Sequence, residues 1–89
     1  MLTEHDREVI FKCARKYRVS SISLFGSSIK GDNEPNDIDL GVKGLKPKLF
    51  FKFYAELIKH LSKPVDLIDL SKKTSFNEII EGDSIKLYG

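Results

Sequence analysis

The stretch from Leu24 to Leu40 constrains this chain more than any other. Leu24-Phe25-Gly26-Ser27-Ser28-Ile29-Lys30-Gly31 leads through a polar loop to Asn36-Asp37-Ile38-Asp39-Leu40. The pattern predicts a strand over residues 19–25, a Gly-Ser turn opening a short helix at Ser28, a loop over 31–36 and a second strand over 37–43. Strand side chains alternate, so Asp37 and Asp39 share one face while Ile38, Leu40 and Val42 share the other. Two carboxylates on one face repel each other and raise each other's pKa. A divalent cation removes that repulsion, and Mg²⁺ prefers one or two carboxylates together with substrate phosphates. Gly26 and Ser27, at a helix start, offer backbone N–H groups and a hydroxyl to a phosphate.

The remaining chain reads as support for that stretch. At 89 residues it holds one small domain, residues 1–89. A net charge of +2 is too weak to argue for direct nucleic-acid binding. The lone Cys13 cannot form an internal disulfide. Charged residues from Glu4 to Arg7 interrupt any secretory apolar run, and no apolar run is long enough to span a bilayer, so a cytoplasmic location is expected. Thr3 is a candidate N-cap for a helix over 4–17 whose apolar stripe is Val9, Ile10, Cys13, Ala14 and Tyr17. Phe50, Phe53, Tyr54, Leu57, Ile58 and Leu61 recur at three- and four-residue steps, which predicts a strongly amphipathic helix over 48–61. A third strand is expected over 65–70, with Asp66, Ile68 and Leu70 on one face and Val65, Leu67 and Asp69 on the other. Only one of Asp66 and Asp69 can then join Asp37 and Asp39. A short helix over 76–80, capped by Thr74 or Ser75, and an extended tail over 85–88 complete the chain.

The segments Gly26-Ser27, Gly31, Asp37-Ile38-Asp39-Leu40 and Pro64-Val65-Asp66-Leu67-Ile68-Asp69-Leu70 resemble the signature of the nucleotidyltransferase superfamily, the fold group of DNA polymerase beta. The resemblance is closest to its minimal nucleotidyltransferase (MNT) branch, found beside HEPN-domain partners, and extends to the ending Ile80-Glu81-Gly82-Asp83-Ser84-Ile85-Lys86-Leu87-Tyr88. It implies an α/β (α+β) fold, with a small mixed sheet and helices packed mainly on one face. It implies Mg²⁺-dependent transfer of a nucleotidyl group, adenylyl by preference, from ATP or another nucleoside triphosphate to a protein, releasing pyrophosphate. In that scheme Asp37, Asp39 and Asp66 are the catalytic carboxylates and hold two metal ions. Gly26 and Ser27 position the triphosphate, and Lys30 neutralises it as a point charge. The implied acceptor is a HEPN-domain toxin, for which the chain is the antitoxin. The alternative is a module of the same fold that neutralises its partner by covering it, without catalysis. It rests on a Ser27–Asp37 spacer one residue shorter than the family form and on Ser28, where many relatives carry a large or basic side chain.

Overall fold

A computed structural model describes residues 2–25 and 37–89. Helix α1 runs over Glu4–Lys16. Thr3 caps it, its Oγ1 accepting the Asp6 N–H at 3.1 Å, and acidic first-turn and basic last-turn residues match the helix dipole. At the other end the Val19 N–H reaches back to the Ala14 carbonyl at 3.1 Å, while Arg18 takes φ 54°. That left-handed residue is the usual helix stop, here occupied by arginine rather than glycine. Because the stop consumes the Val19 N–H, strand β1 starts later than expected, at Ser21–Phe25.

Strands β2 (Ile38–Lys43), β3 (Val65–Asp69) and β4 (Ile85–Tyr88) join β1 in one mixed sheet of order β3-β2-β1-β4. β1 is antiparallel to β2 and β4, and β2 is parallel to β3. A parallel neighbour requires a crossover. Helix α2 (Phe50–His60), entered through a 3-10 turn at Pro47–Leu49, supplies it. The residues expected on one face of the sheet, Ile22, Leu24, Ile38, Leu40 and Val42, are all buried. They form one core with Ile10, Cys13 and Ala14 of α1, Phe53 and Leu57 of α2, and Val65 and Leu67 of β3.

Ile58 departs from the expected α2 stripe. It is 59% exposed, and the neighbouring apolar Phe51 is 81% exposed. Phe53 and Leu57, with no exposed surface, define the arc that meets the core. Ile58 lies a further 100° round the helix from Leu57, on the outer side. Helix α1 packs beside α2, and Ile58 stays exposed among the described residues.

Two polar hubs fasten α1 to α2. Asp6, 1% exposed, accepts hydrogen bonds from the Ser62 N–H at 3.0 Å and the Ser62 hydroxyl at 2.6 Å. Burial pushes its carboxyl up, but the two Ser62 bonds, Thr3 and nearby His5 outweigh burial and hold it below its ordinary value. Glu56 accepts from Lys16 and from the Tyr17 hydroxyl, with the Cys13 thiol 3.7 Å away. Burial and that carboxylate push the Cys13 thiol up to about 11, so it is an inert core thiol.

Helix α3 (Ser75–Gly82) carries the chain from the end of β3 to the start of β4. Thr74 caps it, accepting the Asn77 N–H at 3.0 Å. It meets the sheet on the face away from α1 and α2, where Glu81 pairs with Lys43. Among the described residues, helices α1 and α2 thus cover one face, and short α3 lies on the other.

Two outcomes are expected. Leu57→Ala lowers unfolding free energy by about 2–5 kcal/mol, whereas Ile58→Ala changes it by under about 0.5 kcal/mol, both measured by urea denaturation. Because the Asp6 pKa is depressed in the fold, its stabilisation is present above the ordinary carboxyl value of 3.8 and lost as pH falls through the lower folded value. An Asp6→Asn variant should be less stable than wild type at pH 7, with the difference shrinking in acid.

Candidate active site

The parallel pairing of β2 with β3 places Asp39 directly across from Asp66. Both alternate away from the core: Asp39 is half-buried and Asp66 exposed, while their neighbours Ile38, Leu40, Val65 and Leu67 are buried. Burial, then the charges of Asp66 and Asp37, raise the Asp39 pKa, as does a hydrogen bond with the Asp66 side chain. Two carboxyls can share such a bond only when one carries a proton. Asp37, exposed and immediately before β2, acts on Asp39 through its charge. The structure therefore brings Asp39 and Asp66 into contact, with Asp37 within electrostatic reach. Asp69 instead accepts the Ser71 N–H at 2.9 Å and shapes the turn after β3.

Among the described residues, no group of three His, Cys, Asp or Glu side chains is close enough to hold a metal ion unaided. That does not disqualify Mg²⁺, which seldom uses an all-protein cage and takes most of its ligands from phosphates and water. The donor chemistry fits: hard carboxylate oxygens, crowded enough that one is driven toward protonation. Gly26, Ser27 and Lys30 lie outside the described residues, as do the expected helix at Ser28 and the 31–36 loop.

Phe25 had no expected role beyond strand alternation. The β1/β2 register sets it opposite Asp39. Its ring lies over Gly41, where an added Cβ would stand 3.4 Å from Phe25 Cε1 and 2.3 Å from Leu70 Cδ1. An apolar floor thus adjoins the acidic pair. Its sequence signal was alternation itself, since Phe25, Asp39 and Gly41 all fall on the non-core face.

The pattern of the family described as polymerase beta, nucleotidyltransferase, matches residues 8–89. The chain belongs to that family. One nucleotidyltransferase relative, a Methanocaldococcus jannaschii protein named as a protein adenylyltransferase, is 42% identical over 65 residues. The match covers 70% of this chain and 65% of the relative's length. Among solved structures, a toxin–antitoxin complex with AMP-PNP is 27% identical with a TM-score of 0.76, covering 93% of this chain and 73% of that one. A variant of the MntA–HepT toxin–antitoxin complex is 26% identical at the same score, covering 100% and 74%. A tri-AMPylated Shewanella oneidensis HEPN toxin in complex with MNT antitoxin, 23% identical with a TM-score of 0.70 over 94% and 70%, shares the fold. No helix of the described residues is long and apolar enough to cross a membrane.

Since the folded Asp39 pKa is raised, its ionised form costs stability at neutral pH, and that cost is relieved as pH falls through the folded value. In metal-free buffer at pH 7, Asp39→Asn should be at least as stable as wild type. Urea denaturation showing a loss above about 1 kcal/mol would mean that Asp39 instead supports the fold.

Proposed function

We propose that this chain, as one domain over residues 1–89, transfers an adenylyl group from ATP to a hydroxyl of a HEPN-domain protein and so acts as that protein's antitoxin. The observation that carries the proposal is the Asp39–Asp66 pair, with Asp37 close enough to raise Asp39 further. A fold has no use for carboxylates crowded on an open face, and crowding of this kind marks sites where charge is handled. The adenylyltransferase name of one relative, the AMP-PNP of one structural neighbour and the tri-AMPylated HEPN toxin of another support the choice of nucleotide and acceptor.

Asp37, Asp39 and Asp66 would hold Mg²⁺, two ions in the fully loaded site. Bound there, Mg²⁺ supplies charge neutralisation for the attacking and leaving oxygens of an in-line displacement. Gly26 and Ser27 would bind the triphosphate, and Lys30 would neutralise its charge. Asp66, the exposed member of the pair, accepts the proton of the attacking hydroxyl. The hydroxyl oxygen bonds to the α-phosphorus, the bond from that phosphorus to the bridging oxygen breaks, and pyrophosphate leaves. Cation charge would offset the neighbouring carboxylates that raise the Asp39 pKa and so favour its ionised, ligating form. A cytoplasmic location goes with an ATP-using antitoxin.

The decisive experiment incubates the chain with Mg²⁺, ATP labelled at the α-phosphate and a HEPN-domain protein from the same genome. Label should appear on the HEPN-domain protein, and Asp39→Asn should lower the rate by about 10²-fold or more, the scale of losing one transition-state-stabilising group. Neutralisation of the partner without label, equal in wild type and variant, would show covering rather than transfer.

A further inference from the structure

The open face of the sheet carries a gap beside the acidic pair. The strand registers set its side chains in rows: Phe25, Asp39 and Asp66 in one, Ser23, Gly41 and Ile68 in the next. The middle of the second row is a glycine, and side chains from the rows on either side converge on the space it leaves. A Cβ added there would stand 2.3 Å from Leu70 Cδ1, 2.8 Å from Leu70 Cγ and 3.4 Å from Phe25 Cε1. The Phe25 ring therefore leans along the strands toward Leu70, away from the row that holds the two carboxylates. Gly41 lies inside β2 with no positive φ, so its backbone does not call for glycine. Glycine weakens a strand interior and often marks a close approach; here the approach is that of two side chains.

Those neighbours have little freedom to yield. Leu70 is 4% exposed, and its N–H donates to the Val42 carbonyl at 2.8 Å. The carbonyl before it, that of Asp69, accepts from Asn77 Nδ2 at 3.3 Å. With the backbone held on both sides, a methyl at residue 41 overlaps the Leu70 branch carbon as well as a terminal methyl. Leu70 must then change rotamer within a space it shares with the Phe25 ring. The displaced ring has the Asp39 row to turn to, because Asp39 is the residue directly across from it.

We propose that Gly41 is a positioning residue of the acidic site, its empty side-chain space being the seat that holds the Phe25 ring clear of the Asp39 and Asp66 carboxylates. This rests on the cation and nucleotide reading given above and adds a residue that keeps the pair accessible. Mg²⁺ arrives with water and phosphate as most of its ligands, so the carboxylates must be reached by a bulky hydrated group. A phenyl ring laid across them blocks that approach.

The test uses the full chain. Nuclear Overhauser contacts between the Phe25 ring and the Leu70 methyls read the seat. Electron paramagnetic resonance reads Mn²⁺ binding in the presence of AMP-PNP, and labelling of the HEPN-domain protein runs in parallel. Wild type should show the ring–methyl contact. Gly41→Ala should lose it and bind Mn²⁺ with AMP-PNP about 10-fold or more weakly. In a Phe25→Ala background the same substitution should change binding by under about 2-fold, because no ring is left to displace. An equal loss in both backgrounds is plain misfit and overturns the seat, as does a Gly41→Ala variant that binds like wild type. Should Gly41→Ala fail to fold, Gly41→Ala/Leu70→Ala replaces it, the new methyl entering the space the leucine vacates. That variant should bind within about 2-fold of Leu70→Ala, with its residue-41 methyl against the Phe25 ring; a 10-fold loss there overturns the seat. A seat that behaves as expected in a chain that transfers no label keeps the positioning role and overturns the transfer. A wild type that binds no Mn²⁺ with AMP-PNP overturns both.

Discussion

Asp39 and Asp66 face each other across a parallel strand pair, and the rest of the architecture follows from keeping them there. Parallel strands cannot be joined by a hairpin, so the chain leaves β2, runs through α2 and returns as β3. That crossover buries Phe53 and Leu57 against the sheet, and the apolar partners of the two acids, Leu40 and Leu67, sit beneath them in the same core. Alternation does the rest. A residue paired with a buried leucine on one side must present its neighbour on the other, which sends both carboxylates to the open face. A one-residue slip of β3 against β2 would send Asp66 into the core and Leu67 out.

This division of labour separates stability from chemistry. The α1–α2 face carries the core and its two polar hubs, Asp6 with Ser62 and Glu56 with Lys16 and Tyr17. The opposite face carries crowded carboxylates, a half-buried aromatic at Phe25 and helix α3. Asp6 and Asp39 show the contrast in one residue type. Burial pushes both carboxyls up; hydrogen-bond donors reverse it at Asp6, whereas further carboxylates add to it at Asp39. The first arrangement holds helices together, and the second becomes favourable when positive charge arrives.

Much of this was legible in the residue order, for physical reasons that differ by element. The α1 cap at Thr3 and the buried set Ile38, Leu40 and Val42 follow from local periodicity, and the observed cap bond and burial agree; the register sets Asp66 across from Asp39. The nucleotidyltransferase family was legible as well, because its motifs sit at strand ends where backbone geometry fixes their spacing. Position within a stripe was less so. Ile58 fits the three-four repeat of α2 as well as Leu57 does, and only the placement of α1 decides which of them finds a core. The anchoring of α3 was not legible, since the hydrogen bonds of Asn77 and the pairing of Glu81 with Lys43 depend on where the helix meets the sheet.

The central claim is that the acidic pair is a cation site that works on a nucleoside triphosphate. The most direct measurement is anomalous diffraction from crystals of the chain grown with Mn²⁺ in place of Mg²⁺ and a non-hydrolysable ATP analogue. The expected result is an anomalous peak within coordination distance of both the Asp39 and Asp66 carboxylates and of the triphosphate, with Asp37 turned toward it. A nucleotide bound with its metal held by phosphates and water alone, with neither aspartate coordinated, would contradict it.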